Sequence, residues 1–180
     1  MYRPITPAEK EFIDSALQEV CGKNSNALWP NKILIVVKKK QNHVFALDSS
    51  VFNLLKSISE KKSRTKGLTL EYACNEIGIL TKTFFRVGLE VIQELATYVK
   101  DKLMVDEIGE TAFLFGKDIS RENVLQFPKK LHEGDRFIVF SKHDYPLGLA
   151  QLGTKSKNKS TIAPLVINLI DYGYYLRSGG

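Results

Sequence analysis

The sequence predicts an α+β protein in two parts. An N-terminal mixed α/β domain with an antiparallel sheet is expected over residues 1–98, and a pseudo-barrel of mainly β strands over residues 99–180. Three observations predict it. Near the N-terminus apolar residues recur at helical spacing. Short β-branched runs bounded by polar turns fill much of the first half. Beyond Tyr98, short strands follow one another with turn signals between them, as in a sandwich or barrel.

The first helix is announced by Thr6-Pro-Ala-Glu9, which combines a hydroxyl N-cap, proline at the first helical position and a glutamate placed to close a capping box. Phe12, Ile13, Ala16, Leu17 and Val20 then form one apolar stripe, and Gly22 is placed to end the helix. After the polar turn Lys23–Asn26, the run Lys32–Val37 reads as a mostly buried strand. Lys38–His43 is a tight connection to a second strand, Val44–Leu47, and Lys38, Lys39 and Lys40 blunt its tip or edge.

Asp48 or Ser49 caps a second helix whose buried stripe is Val51, Leu54, Leu55 and Ile58. A basic loop, Lys61–Lys66, follows, and Leu68–Ala73 alternates as a strand. The stretch from Phe85 fits two patterns; Gly88 and Val87 weigh against a helix, so a strand to about Val91 and then a short helix are expected.

In the second half, Lys102–Val105 and Ala112–Phe115 read as strands joined by a turn containing Gly109. Ser120–Val124 reads as a brief helix. Four further strands are expected at Asp135–Ser141, Pro146–Leu152, Pro164–Ile170 and Gly173–Arg177.

Between the second and third of these lies the main functional clue. Lys155, Lys157 and Lys159 stand at every second position among small polar residues, so nothing in that loop has an apolar reason to be buried. In an extended segment the three ammonium groups fall on one side, where each can meet a phosphate and release a counterion. The plainer alternative is a solvated, lysine-rich hairpin tip.

The charge favours a polyanionic partner. The formal net charge is +6, and it is not confined to one half: fourteen basic and ten acidic residues run through Ala96, against twelve and ten beyond it. No apolar run approaches the roughly 20 residues of a membrane span, and the N-terminus lacks a signal peptide's apolar core. A soluble intracellular protein is expected, with no membrane partner. Cys21 and Cys74 are too few and too scattered for a disulfide framework or zinc site.

His43, His132 and His143 read as loop histidines without metal-ligand or nucleophile spacing, and Asp144 reads as a turn residue before Pro146. No phosphate-binding glycine loop or hydrolase motif is present. The expectation is therefore no enzyme, no catalytic or metal residues and no cofactor.

Five segments, Arg3-Pro-Ile-Thr6, Thr81-Lys-Thr83 with Arg86 after it, Phe113-Leu-Phe-Gly116, Asp144-Tyr-Pro-Leu-Gly148 and Asp171-Tyr-Gly-Tyr-Tyr-Leu-Arg177, span nearly the whole chain. Together they resemble the Nip-seven family of ribosome biogenesis factors of eukaryotes and archaea. The second half resembles the PUA domain, an RNA-binding module named for pseudouridine synthases and archaeosine transglycosylases. The resemblance implies an N-terminal α/β domain, a C-terminal PUA-type pseudo-barrel and a non-catalytic factor in precursor rRNA processing and large-subunit assembly.

The implied partners are precursor rRNA, single-stranded and including U-rich sequence, with pre-ribosomal large-subunit particles and other assembly factors. The compact length suits an archaeal cytoplasm; a eukaryotic source would place the protein in the nucleolus or nucleus. Lys155, Lys157 and Lys159 occupy the family's basic segment, with lysine where arginine is often found. Arg177 resembles the family's final basic residue. Tyr175 is a stacking candidate, against the alternative that the tyrosines close the barrel and its rim. Lys82 and Arg86 are candidates for a second RNA contact, or simply the polar face of a strand. The alternatives in function are an RNA-modifying enzyme or its substrate-delivering subunit, and a protein-binding scaffold.

Overall fold

The computed structural model describes residues 2–60, 75–153 and 166–178. The chain forms two compact units, residues 1–18 with 23–91 and residues 19–22 with 92–180.

The first unit holds a five-stranded antiparallel sheet of β1 (Tyr2–Pro4), β2 (Lys32–Lys38), β3 (Asn42–Asp48), β4 (Glu76–Leu80) and β5 (Phe85–Val87), lying side by side in sequence order. Helices α1 (Pro7–Cys21) and α2 (Ser25–Leu28) lie between β1 and β2 in the chain, and α3 (Ser49–Glu60) between β3 and β4. Both faces of the central strands are buried, which explains the unbroken apolar runs of β2 and β3.

The start of α1 is built as its sequence requires. The Thr6 hydroxyl accepts from Glu9 N–H (3.3 Å) and Glu9 Oε2 accepts from Thr6 N–H (2.8 Å), a closed capping box. Arg3 adds a fork on the same carboxylate at 2.7 and 2.5 Å. Chiefly through Arg3, the Glu9 carboxyl is held down to about 2. Because the folded value lies below the unfolded one, this contribution is present above the unfolded value near 4.5 and is lost as pH falls toward 2. Replacing Glu9→Gln keeps a reaching side chain but removes the charge. Wild type should therefore lose stability between pH 5 and 2 that the variant does not, by ~0.5–1 kcal/mol for so exposed a pair; parallel denaturation curves across that range would refute this assignment.

Three local expectations need correction in this unit. The turn at Lys23–Asn26 is instead the start of α2, because Asn24 caps it (Ala27 N–H to Oδ1, 2.9 Å) and Asp14 accepts from Ser25 N–H at 2.7 Å. On α3 the residues packed against Ile35, Val37, Phe45 and Leu47 are Val51, Phe52 and Leu55, while Leu54 and Ile58 are exposed. Turning the helix by one residue, about 100°, brings the large Phe52 ring to the sheet. Finally, the strand from Phe85 stops at Val87, where Gly88 N–H turns to Ile77 C=O at 2.9 Å; Leu89–Val91 is a 3-10 turn leading into the short helix α4 (Ile92–Ala96). Strand β4 is an addition that the sequence pattern did not announce. The expected loop Lys61–Lys66 and strand Leu68–Ala73, with Cys74, lie outside the described residues.

The second unit carries β6 (Leu103–Val105), β7 (Val124–Gln126), β8 (Arg136–Ser141), β9 (Pro146–Leu152) and β10 (Val166–Asp171) in the spatial order β10-β9-β8-β6-β7. Among the described strands only β6 and β8 pair in parallel. A bridge between Ile119 and Val166 ties the segment after α5 (Glu107–Leu114) back to β10. Leu103, Val105, Phe113, Phe137, Val139 and Ala150 form the centre of the core.

Two expected strands are helices here. Ala112–Phe115 belongs to the end of α5 because Asp106 caps that helix through Gly109 N–H (2.7 Å), and helical rotation sends Phe113 into the core and Phe115 to the surface. Gly173–Arg177 is not a strand: α6 (Tyr174–Ser178) coils there. An extended run from Asp171 to Arg177 would separate them by about 20 Å, whereas their side chains meet at 2.9 Å. Only a helical turn closes that pair.

Candidate nucleic-acid interface

The lysine-bearing segment joins β9 to β10 in the chain, and the strand residues on either side of it are neighbours, Leu152 standing opposite Val166. Both are hydrogen-bonded on their far sides. Leu152 exchanges backbone bonds with Gly134 (3.0 Å) and Asp135 (2.9 Å), and Val166 exchanges them with Ile119 (2.8 and 3.1 Å). Both flanking residues are thus tied into the sheet. Lys155, Lys157 and Lys159 themselves lie outside the described residues.

At the opposite end of β10, five residue steps or about 17 Å along the strand, stands Arg177. Its Nη1 and Nη2 donate to Asp171 Oδ1 and Oδ2 at 3.0 and 2.9 Å, and Nη1 also donates to the Leu114 carbonyl at the end of α5. Asp171 is buried, and it takes a third bond from Asn168 Nδ2 at 3.1 Å. Asp171 in turn raises the guanidinium's affinity for its proton. The two-pronged face that would grip a phosphate is therefore occupied internally. Arg177 ties α6 to β10 and α5.

Gly173 completes the clamp. A Cβ there would fall 1.8 Å from the Leu114 carbonyl oxygen and 2.8 Å from Arg177 Nη1, so only glycine admits this approach. The consequence is a short helix that presents Tyr174, Tyr175 and Leu176 to solvent, with the two rings edge-to-face at 6.0 Å. Tyr174 and Tyr175 are neighbours on a helix, so they do not alternate across a strand as expected.

Lys117 carries no sequence signal as a contact residue. It is exposed on the segment 116–119, which starts beside the Arg177 guanidinium and ends at the loop's anchor, Ile119 pairing with Val166. Along this segment Asp118 Oδ1 accepts from Asn168 N–H at 2.9 Å. Lys117 thus lies between the tyrosine end and the lysine end of β10. Lys117 also lines a largely apolar groove of about 430 Å³ on α5, with Glu107, Ile108, Thr111, Ala112 and Phe115. Lys117 stands in no run of like charge, and only topology brings it into line.

Lys82 and Arg86 belong to the other unit, where they are both exposed on the β4–β5 hairpin. The histidines are placed differently from one another: His43 is on β3, not in a loop, with Nδ1 2.7 Å from Glu76 Oε1, while His132 is exposed beside Asp135. Asp144 is a turn residue, at φ +68°, and accepts from Lys102 Nζ at 2.6 and 2.7 Å. Among the described residues no three His, Cys, Asp or Glu side chains group as a metal site would, and no helix is long and apolar enough to cross a membrane.

Two family models match the sequence: the NIP7/UPF0113 pre-PUA domain over residues 2–86 and the UPF0113 PUA domain over residues 101–180. Among similar proteins is the 60S ribosome subunit biogenesis protein NIP7 of Saccharomyces cerevisiae, 27% identical over 97% of this chain and 96% of its own length. The NIP7 homolog of Danio rerio is 25% identical over 98% and 97%. Among solved structures, a hypothetical protein from Pyrococcus horikoshii superposes with a TM-score of 0.58 at 15% identity, covering 93% of each chain. A conserved PUA domain protein from Thermoplasma acidophilum gives 0.56 at 13% identity with the same coverage. At such identities the structural likeness speaks for the fold alone.

Proposed function

The chain belongs to the NIP7/UPF0113 family, and from that membership we propose that it is a non-catalytic, RNA-binding factor in precursor rRNA processing and assembly of the large ribosomal subunit. The observation that carries the RNA-binding part is a PUA unit whose β9 and β10 hold, side by side, the two ends of a loop bearing Lys155, Lys157 and Lys159. In this reading residues 99–180 form the RNA-binding domain and residues 1–98 a second domain that engages RNA or another assembly factor. Lys117 joins the lysines along β10, Tyr175 offers a stacking surface on α6, and Arg177 acts by holding that helix in place. The partners are single-stranded precursor rRNA, U-rich sequence included, and pre-ribosomal particles. The place of work is then wherever large subunits are built: the cytoplasm of an archaeon, or the nucleolus of a eukaryote.

Binding of labelled single-stranded RNA to the whole protein across a salt series tests this reading. Three or more phosphate contacts at about 0.7 counterions each require log K to fall with log salt at a slope of about −2 or steeper. Absence of binding near 0.15 M salt would leave a protein-binding scaffold. A mass change in any nucleoside after incubation would instead make the chain an RNA-modifying enzyme.

A further inference from the structure

The β4–β5 hairpin carries an exposed aromatic ring between two cations. Its turn is pinned by Thr81, whose N–H and hydroxyl both reach the Phe84 carbonyl at 2.9 Å and whose oxygen accepts from Phe84 N–H at 3.1 Å. Lys82 sits at the tip. Gly78 lets β5 close onto β4: a Cβ there would stand 2.1 Å from the Arg86 carbonyl oxygen and 2.7 Å from the Phe85 ring.

Alternation then sorts the side chains. Phe85 and Val87 are buried, whereas Phe84, 45% exposed, and Arg86 face outward. Among the described strands β5 is an edge strand, hydrogen-bonded only to β4. Neither Lys82 nor Arg86 makes an ion pair with any described residue, although Arg3, Lys10, Lys32, Lys102, Lys142 and Arg177 all do. A large apolar ring in the open, on a pinned turn, beside two cations that no described residue pairs has an evident complement. It is a ligand offering flat π faces and negative charge together, which describes single-stranded nucleic acid.

We propose that the β4–β5 hairpin is a second RNA site in which a base stacks on Phe84 while Lys82 and Arg86 hold the flanking phosphates. This deepens the RNA-binding reading above and rests on it. The ring supplies a sequence-tolerant platform, and the lysine and arginine supply the counterion release. The site belongs to the first unit and is separate in the chain from the lysine loop, so one RNA held at both sites is bound bivalently.

The test uses the full chain, a labelled single-stranded oligouridylate probe, and three variants. Phe84→Ala should weaken binding by about 5- to 150-fold, the range of one lost base stack, without changing the salt slope. Lys82→Ala with Arg86→Ala should flatten the slope by about 1.4. Phe84→Trp should bind as tightly as wild type, and its indole fluorescence should be quenched by the probe; the only native tryptophan, Trp29, is buried and gives a background that the wild-type titration subtracts.

Wild-type RNA binding, combined with an unquenched indole in Phe84→Trp or with unaltered affinity in Phe84→Ala, would overturn the hairpin site and leave the RNA-binding reading intact. Variants that keep RNA affinity yet fail to enter pre-ribosomal particles would make the hairpin a protein-docking face, which also overturns it. Failure of wild type to bind RNA at all would remove the premise instead.

Discussion

Replacing Lys155, Lys157 and Lys159 together by alanine should cost on the order of 10- to 100-fold in affinity for single-stranded RNA near 0.15 M salt, and the salt slope should flatten by about two. Each phosphate contact on a single strand releases about 0.7 of a counterion, so three contacts account for a slope change near 2.1. At that salt the same release amounts to about 1.7 decades of binding. The slope is the stronger readout, because an unfolded or aggregated variant loses active protein without changing the exponent of the remainder. A triple variant with the wild-type slope would place the RNA elsewhere and reduce the loop to a solvated hairpin tip.

Lysine rather than arginine in this loop carries a second consequence. A lysine ammonium is a mobile point charge without the planar fork of a guanidinium. If the loop holds RNA as proposed, it should supply affinity with little sequence preference. Converting all three lysines to arginine should keep the salt slope and sharpen discrimination between oligonucleotides of different sequence.

How much of this was legible in the sequence depends on the range of the forces involved. The capping box at Thr6–Glu9, the strands β2, β3, β6, β8 and β9 and the turn at Asp144 are set by residues within a few positions of one another, and they read correctly. Elements fixed by distant partners read badly. Tyr174–Arg177 has the alternation of a strand, yet the buried Asp171 carboxylate and the Leu114 carbonyl draw Arg177 back and coil the chain. Ala112–Phe115 is a different kind of miss: its cause is local, a cap from Asp106 to Gly109 N–H three positions on, but the strand-like composition of the run outweighed that signal.

The candidate site divides in the same way. A lysine at every second position is a sequence signal. By contrast, Lys117 acquires its place only when Ile119 bridges to Val166, and Phe84 becomes notable only when Phe85, its neighbour, turns out to be the buried ring of the pair.

The largest effect on stability should come from Asp171→Ala. Three hydrogen bonds end on this carboxylate: two from Arg177 and one from Asn168, whose Nδ2 also donates to the Phe113 carbonyl at 2.8 Å. Because Asp171 is only 2% exposed, water does not replace it, and the Asn168 amide loses one of its acceptors inside the protein. Loss of such a buried acceptor costs ~2–3 kcal/mol, which at this chain length lowers the melting temperature by about 5–10 °C. Asp171→Asn should not rescue it, since the new amide turns a donor toward the guanidinium fork. Arg177→Lys should also fail, because an ammonium cannot span both carboxylate oxygens and the Leu114 carbonyl with a planar fork.

The pair acts as a unit, so Asp171→Ala combined with Arg177→Ala should destabilise by less than the sum of the single changes. Additive effects, or a melting temperature for Asp171→Ala within about a degree of wild type, would mean that α6 is held by something other than this clamp. The clamp also separates stability from binding. Asp171→Ala combined with Arg177→Ala releases Tyr174 and Tyr175 from their presented positions, leaves no freed guanidinium to meet a phosphate and keeps every lysine in place. RNA affinity should then fall with an unchanged salt slope if the tyrosine end of β10 contributes stacking, and should stay at its wild-type value if the lysines alone carry the contact.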